Sequence, residues 1–98
     1  MSTSQIEIER HDNGSQGEYI AKLSGSEDKA ELSWSDRNGV RHATHTFVPP
    51  SHRGKGVAEE LVKALVADAR EQDFKIAPDC SYVERWFDRH QDYSDLRA

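Results

Sequence analysis

The chain has 98 residues, 35% apolar and 32% charged, with a formal net charge of −5, enough for one small domain with a thin core. That acidic balance argues against non-specific nucleic-acid binding, which needs a broad basic surface, and no stretch reaches the length that spans a bilayer. A lone cysteine, Cys80, excludes an internal disulfide and, with an N-terminus that shows no targeting pattern, suits a cytoplasmic protein.

Ile6 and Ile8 alternate with Glu7 and Glu9, the period of a first strand. Residues 11–17 are polar and contain Asn13 and Gly14, so a loop is expected there. Glu18–Leu23 reads as a second strand, and Ser24-Gly25-Ser26-Glu27-Asp28 as a turn. Ala30, Leu32 and Trp34 alternate with Lys29, Glu31 and Ser33, a half-buried strand. Asn38-Gly39 is a hairpin signal, and Val40–Val48 is the returning strand, ended by Pro49 and Pro50. Leu61, Val62, Leu65, Val66 and Ala69 fall on one face of a helix over 57–72. Glu59 and Glu60 lie in its first turn and Arg70 in its last, as the helix dipole prefers. Residues 74–77 form a short strand, and a last helix begins near Ser81 with Val83, Trp86, Phe87 and His90 on one face. The remainder is a tail docked by Tyr93 and Leu96, with residues 1–5 and 97–98 disordered. This order predicts an α/β fold: a mixed, mainly antiparallel sheet of about five strands, one crossover helix and one C-terminal helix, in a single domain over 1–98. The crossover makes the fifth strand parallel to the fourth.

Between the fourth strand and the first helix lies Ser51-His52-Arg53-Gly54-Lys55-Gly56. Gly54 and Gly56 let a backbone approach a bulky anion without a Cβ in the way. Arg53 and Lys55 bring positive charge, and the helix beginning at Val57 brings unpaired N–H donors. A phosphate suits such a loop, although a solvated turn before a helix shows the same spacing.

Arg53-Gly54-Lys55-Gly56-Val57-Ala58 resembles the Arg/Gln-x-x-Gly-x-Gly/Ala signature of the GNAT acetyltransferase superfamily. His45-Thr46-Phe47-Val48-Pro49, Leu61-Val62 and Pro78-Asp79-Cys80-Ser81-Tyr82-Val83, with His90, Tyr93 and Leu96, extend the likeness over roughly residues 18–96 to the small YjdJ-type subfamily. The resemblance implies a shortened GNAT-like fold that lacks the usual helix pair after the first strand, leaving an open acceptor groove. It implies acetyl-CoA as co-substrate, with the pyrophosphate held by Arg53, Gly54, Lys55, Gly56, Val57 and Ala58. Backbone groups of Phe47 and Val48 would pair with the pantetheine arm. The acceptor is an amine, such as one on a protein or peptide, and the chain is expected to be a monomer or weak homodimer. A non-catalytic acyl-CoA binding module is the alternative.

In that subfamily a cysteine at the position of Cys80 lies near the thioester. It would carry the acetyl group if a neighbour or helix N-terminus makes it a thiolate. A buried, inert thiol is the competing reading. For direct attack by an amine, His45 is the candidate base and Tyr82 a candidate acid. Some members carry a glutamate where this chain has Phe47, so a carboxylate base is missing there. His42 and His45, three apart in a strand, are expected on opposite faces, which makes a metal site poor, and none is expected. His90 is expected to pack and hydrogen-bond at the end of the last helix.

Overall fold

The computed structural model describes residues 6–23 and 27–98. The expectations for residues 1–5 and for Ser24–Ser26 of the second turn lie outside them. The described strands are β1 (Ile6–Asp12), β2 (Gln16–Leu23), β3 (Lys29–Arg37), β4 (Val40–Phe47) and β5 (Lys75–Ala77). They form one sheet in the order β1-β2-β3-β4-β5, antiparallel except for the parallel pair β4–β5. Helix α1 (Val57–Gln72) joins β4 to β5, and α2 (Ser81–Arg89) follows β5. The fold is the α/β arrangement expected, with two further 3-10 segments at Pro50–His52 and Gln91–Leu96.

Two expectations change. The loop over 11–17 shrinks to Asn13–Ser15, because β1 runs on to Asp12 and β2 begins at Gln16. The Asp12 carboxylate accepts from the Gly14 N–H at 2.8 Å, and the Asn13 N–H donates to the Gln16 carbonyl at 2.8 Å. A side chain closes this turn locally, and polarity alone does not reveal that. Gly17 sits inside β2 because a Cβ there would collide with the Trp34 ring.

The chain end, expected to be disordered at 97–98, is tied down. Arg97 bridges to Ile76 beside β5, and the Ala98 N–H donates to the Ile76 carbonyl at 2.7 Å. The free edge of a three-residue strand offers unpaired backbone groups, and the tail takes them.

Register sorts the sheet into two faces. Opposed residues of an antiparallel pair point the same way, so Ile8, Ala21 and Ala30 share a face, as do Tyr19, Leu32 and Thr46. Tyr19, Ala21, Leu23, Ala30, Leu32, Trp34, Ala43 and Ile76 meet Leu61, Val62, Leu65 and Ala69 of α1 in one core. Val83, Trp86 and Phe87 of α2 join that same cluster. The opposite face supplies none of its members and carries Glu18, Ser33, Ser35, His42, His45 and Phe47. Phe47, 42% exposed, is the one large exposed hydrophobic side chain among the described residues.

One polar cluster lies between sheet and helix. Asp68 of α1, 5% exposed, accepts from the Tyr19 hydroxyl at 2.8 Å and from Arg10 Nε at 2.9 Å. The Arg41 guanidinium donates to the Tyr19 hydroxyl at 3.1 Å and forks onto Asp36 at 2.8 and 3.0 Å. It is stacked between the rings of Trp34 and Phe74, 3.6 and 4.3 Å from their centroids. Buried charge is tolerated because each group has partners.

Candidate functional site

The β4–β5 pairing covers only Val40↔Lys75, Arg41↔Ile76 and His42↔Ala77. Beyond it the strands part, and a last bond runs from the Cys80 N–H to the Ala43 carbonyl at 2.8 Å. The rest of β4 then has no neighbour on that side among the described residues. The edge that opens here is the cleft that an amide-rich ligand can enter by backbone pairing.

A bulge sits at the same place. Ser33 pairs with His45 and Trp34 with Ala43, so Thr44 is the extra residue, its hydroxyl donating to the Ser33 carbonyl at 3.2 Å. The bulge resets the side-chain alternation of β4. His42, opposite Ser35, and His45, opposite Ser33, therefore point to the same bare face. The expectation that they face opposite ways is corrected; it held only for an unbroken strand. No group of three or more His, Cys, Asp or Glu suited to a metal occurs among the described residues.

The bulge also decides which backbone groups face the cleft. Ala43 turns its carbonyl towards Cys80, so Ala43↔Trp34 is a pair without mutual backbone bonds. Alternation along β3 then makes Leu32↔Thr46 another such pair and Glu31↔Phe47 a bonded one. By that alternation the Thr46 N–H and C=O turn towards the opening, next to the Phe47 and Val48 expected to line it. The Val48 carbonyl accepts from Arg53 Nε at 3.0 Å.

That bond ties the Arg53 side chain to the end of β4, and its guanidinium makes no ion pair among the described residues. Gly54 and Gly56 take φ values of 81° and 79°, a region costly for residues with a Cβ. Gly56 is the N-cap of α1, and no side chain caps this helix start. Glu60 donates to the Gly56 carbonyl, so the first free intrahelical donors are the N–H groups of Val57, Ala58 and Glu59. The first-turn acids are drawn aside: Glu59 lies 3.7 Å from His90 Nε2, and Glu60 lies 3.5 Å from Lys63 Nζ. Lys55 is exposed and makes no ion pair among the described residues. The loop therefore offers free donors, the positive end of a sixteen-residue helix and two cations at one place.

Cys80 stands at the cleft. It is the N-cap residue of α2, half-buried, and its thiol donates to the Thr46 hydroxyl at 3.3 Å. Tyr82 is not part of that contact. It lines a shallow groove with Glu59, Arg85, Trp86, Arg89 and His90. Burial first, then the Glu59 carboxylate, push its phenol pKa up, with Arg89 opposing. A tyrosine that holds its proton more tightly is a poorer acid. His90 stacks on Trp86 at 4.1 Å and its Nδ1 lies 2.8 Å from the Trp86 carbonyl, the packing role expected of it. The His45 side chain is exposed and has no hydrogen-bond partner among the described residues.

The sequence reading missed one pair. His42 Nδ1 lies 2.9 Å from the Asp79 carboxylate across the point where β4 and β5 part. Thirty-seven residues separate them, and no local spacing signals the contact.

A family model described as GCN5-related N-acetyl-transferase matches residues 18–96. "Protein NATD1" from Gallus gallus is 32% identical over 71 residues, 70% of this chain and 64% of that protein. The Homo sapiens protein of the same name is also 32% identical over 71 residues, covering 62% of its length. The Xenopus tropicalis protein is 31% identical over 86 residues, 86% of this chain and 76% of that protein. The chain thus aligns with slightly less than two thirds of the chicken and human proteins.

Proposed function

The chain belongs to the GCN5-related N-acetyltransferase family, and from that premise we propose that it transfers acetyl from acetyl-CoA to an amine. One observation carries the reading: the uncapped N-terminus of α1, reached through Gly54 and Gly56, adjoins the opening of β4 that holds Cys80. Arg53, Lys55 and the N–H groups of Val57 and Ala58 would receive the pyrophosphate. The pantetheine amides would pair with the Thr46 edge of β4, and the thioester would come to rest beside Cys80. A Thr46 N–H aimed at the opening also suits an oxyanion.

The residues from His45 through Leu96 that resemble the small YjdJ-type subfamily support that finer assignment. A thiol that donates to Thr46 at the start of α2 suits a residue that accepts the acetyl group and hands it on. The amine reaches the cleft from the bare sheet face, which is open enough for an amine on a protein or peptide. A free cysteine fits a reducing, cytoplasmic setting, and among the described residues no helix is long and apolar enough to cross a membrane. We take the protein to act as a monomer or weak homodimer.

A non-catalytic acyl-CoA binding module is the second reading, favoured by the exposed, unpartnered His45. Acetyl-CoA mixed with a panel of amines and a thiol-detecting dye separates the two. Turnover is expected; binding without release of free thiol establishes the binding module. Titration with coenzyme A is expected to move the amide resonances of Thr46 and residues 53–58. If saturating ligand leaves them in place, both readings fail.

A further inference from the structure

We propose that His42, held by Asp79, is the base that takes the proton from the attacking amine. The inference rests on the acetyl-transfer reading above and adds a residue pair to it.

The geometry separates donor and acceptor by face. Helix α1 packs on the core face of the sheet, so a coenzyme held at its N-terminus approaches the cleft from that side. The amine must come from the other side, the bare face, where His42 and His45 stand roughly 7 Å apart along β4. His42 is the one with an orienting partner. Its Nδ1 meets the Asp79 carboxylate at 2.9 Å, and its side chain is largely buried where that of His45 is exposed. A carboxylate accepts only, so the proton of this contact lies on Nδ1, and Nε2 carries the lone pair. Arg37 Nη2 approaches the same Nδ1 at 3.4 Å, too long to compete with the carboxylate. The charged or titratable groups facing His42 are then Asp79 beyond β5, Arg37 of β3 and His45 along β4. Ser35 opposite and Ala77 beside it are neutral.

An alkylammonium gives one proton to His42 Nε2 and becomes the free amine. The amine nitrogen attacks the acetyl carbonyl carbon and forms the C–N bond. The C–S bond breaks, and the departing thiolate takes the second proton of the nitrogen. This holds whether the acetyl group is on coenzyme A or on Cys80. His42 then returns its proton to solvent. Asp79 touches no substrate; it is a positioning residue that fixes the tautomer and the orientation of the imidazole.

The test is His42→Gln and Asp79→Asn in the full chain, with His11→Gln, on β1 of the same face, as control. His42→Gln is expected to lower kcat/KM about 100-fold, within the range for a lost general base, with the coenzyme A dissociation constant unchanged. Asp79→Asn is expected to lower kcat with the KM for the amine little changed, because the imidazole is no longer held in one tautomer. Its ¹⁵N imidazole spectrum should lose the single Nδ1–H tautomer of the wild type. His11→Gln should keep the wild-type rate. A wild-type rate in His42→Gln overturns this proposal and leaves acetyl transfer standing. Absence of turnover in the wild-type protein with every amine overturns both.

Discussion

The Cys80 thiol donates to the Thr46 hydroxyl at 3.3 Å, bridging the first turn of α2 to the free end of β4. The two residues are 34 positions apart and meet because β5 stops after three residues and lets the chain cross towards β4. Cys80→Ser keeps the size and the hydrogen bond but replaces a good nucleophile with a poor one. Turnover is expected to fall at least about tenfold, or 1.36 kcal/mol of barrier, with coenzyme A affinity retained. Intact-mass analysis of the quenched wild-type protein should show one added acetyl group that Cys80→Ser lacks. Equal turnover in the two proteins would remove the thiol from the mechanism.

The Gly56 backbone is left-handed at φ 79°, and a Cβ there would meet nothing within 4 Å. Gly56→Ala therefore tests conformation without collision. It should cost about 1–2 kcal/mol of stability, and it should weaken coenzyme A binding because the first N–H groups of α1 shift. Thermal unfolding with and without coenzyme A measures both. A variant as stable and as tightly binding as wild type would contradict the requirement for glycine.

Arg53 and Lys55 are expected to differ. Arg53 is fixed by its bond to the Val48 carbonyl, so its remaining donors are pre-oriented, whereas Lys55 is an unrestrained point charge. Arg53→Ala should raise the coenzyme A dissociation constant about tenfold, consistent with one charge-assisted contact. Lys55→Ala should have a smaller effect that fades in high salt. Calorimetric titration at two ionic strengths checks the order of the two effects.

Burial first, then the hydrogen bond to Asp68 and its charge, push the Tyr19 phenol pKa above its ordinary value, with Arg41 opposing. The unfolded chain then loses this proton first as pH rises through about 10. Above that the folded state binds more protons than the unfolded one, so stability is complete below the unfolded pKa and falls as pH climbs. Tyr19→Phe should cost about 1–3 kcal/mol near neutrality, because Asp68 and Arg41 each lose a partner. It should also flatten the alkaline decline. Urea melts compared at about pH 8 and about pH 10.5 show whether the slope belongs to this tyrosine.

Much of the architecture is legible in the sequence. The alternation of Ala30, Leu32 and Trp34 marks β3, Asn38-Gly39 marks its hairpin, and the apolar period from Leu61 to Ala69 marks α1, because each depends on neighbours within one element. The Gly54–Gly56 loop was readable as a loop for the same reason: two glycines, two cations and a helix start are contiguous. The docking of the tail on Ile76 was not readable, since the edge of β5 exists only once the sheet forms. Nor was the burial of Arg41, which depends on Trp34, Phe74, Asp36 and Tyr19 closing around it.

The composition and periodicity of this chain determined its class, its element order and the glycine-spaced start of its long helix. Only tertiary pairing decided which groups line the opening beside that start. The insertion of Thr44 against β3 put His42 and His45 on one face. A bulge is a mismatch between two strands, so neither strand's sequence contains it, and every side chain beyond it takes its direction from the partner.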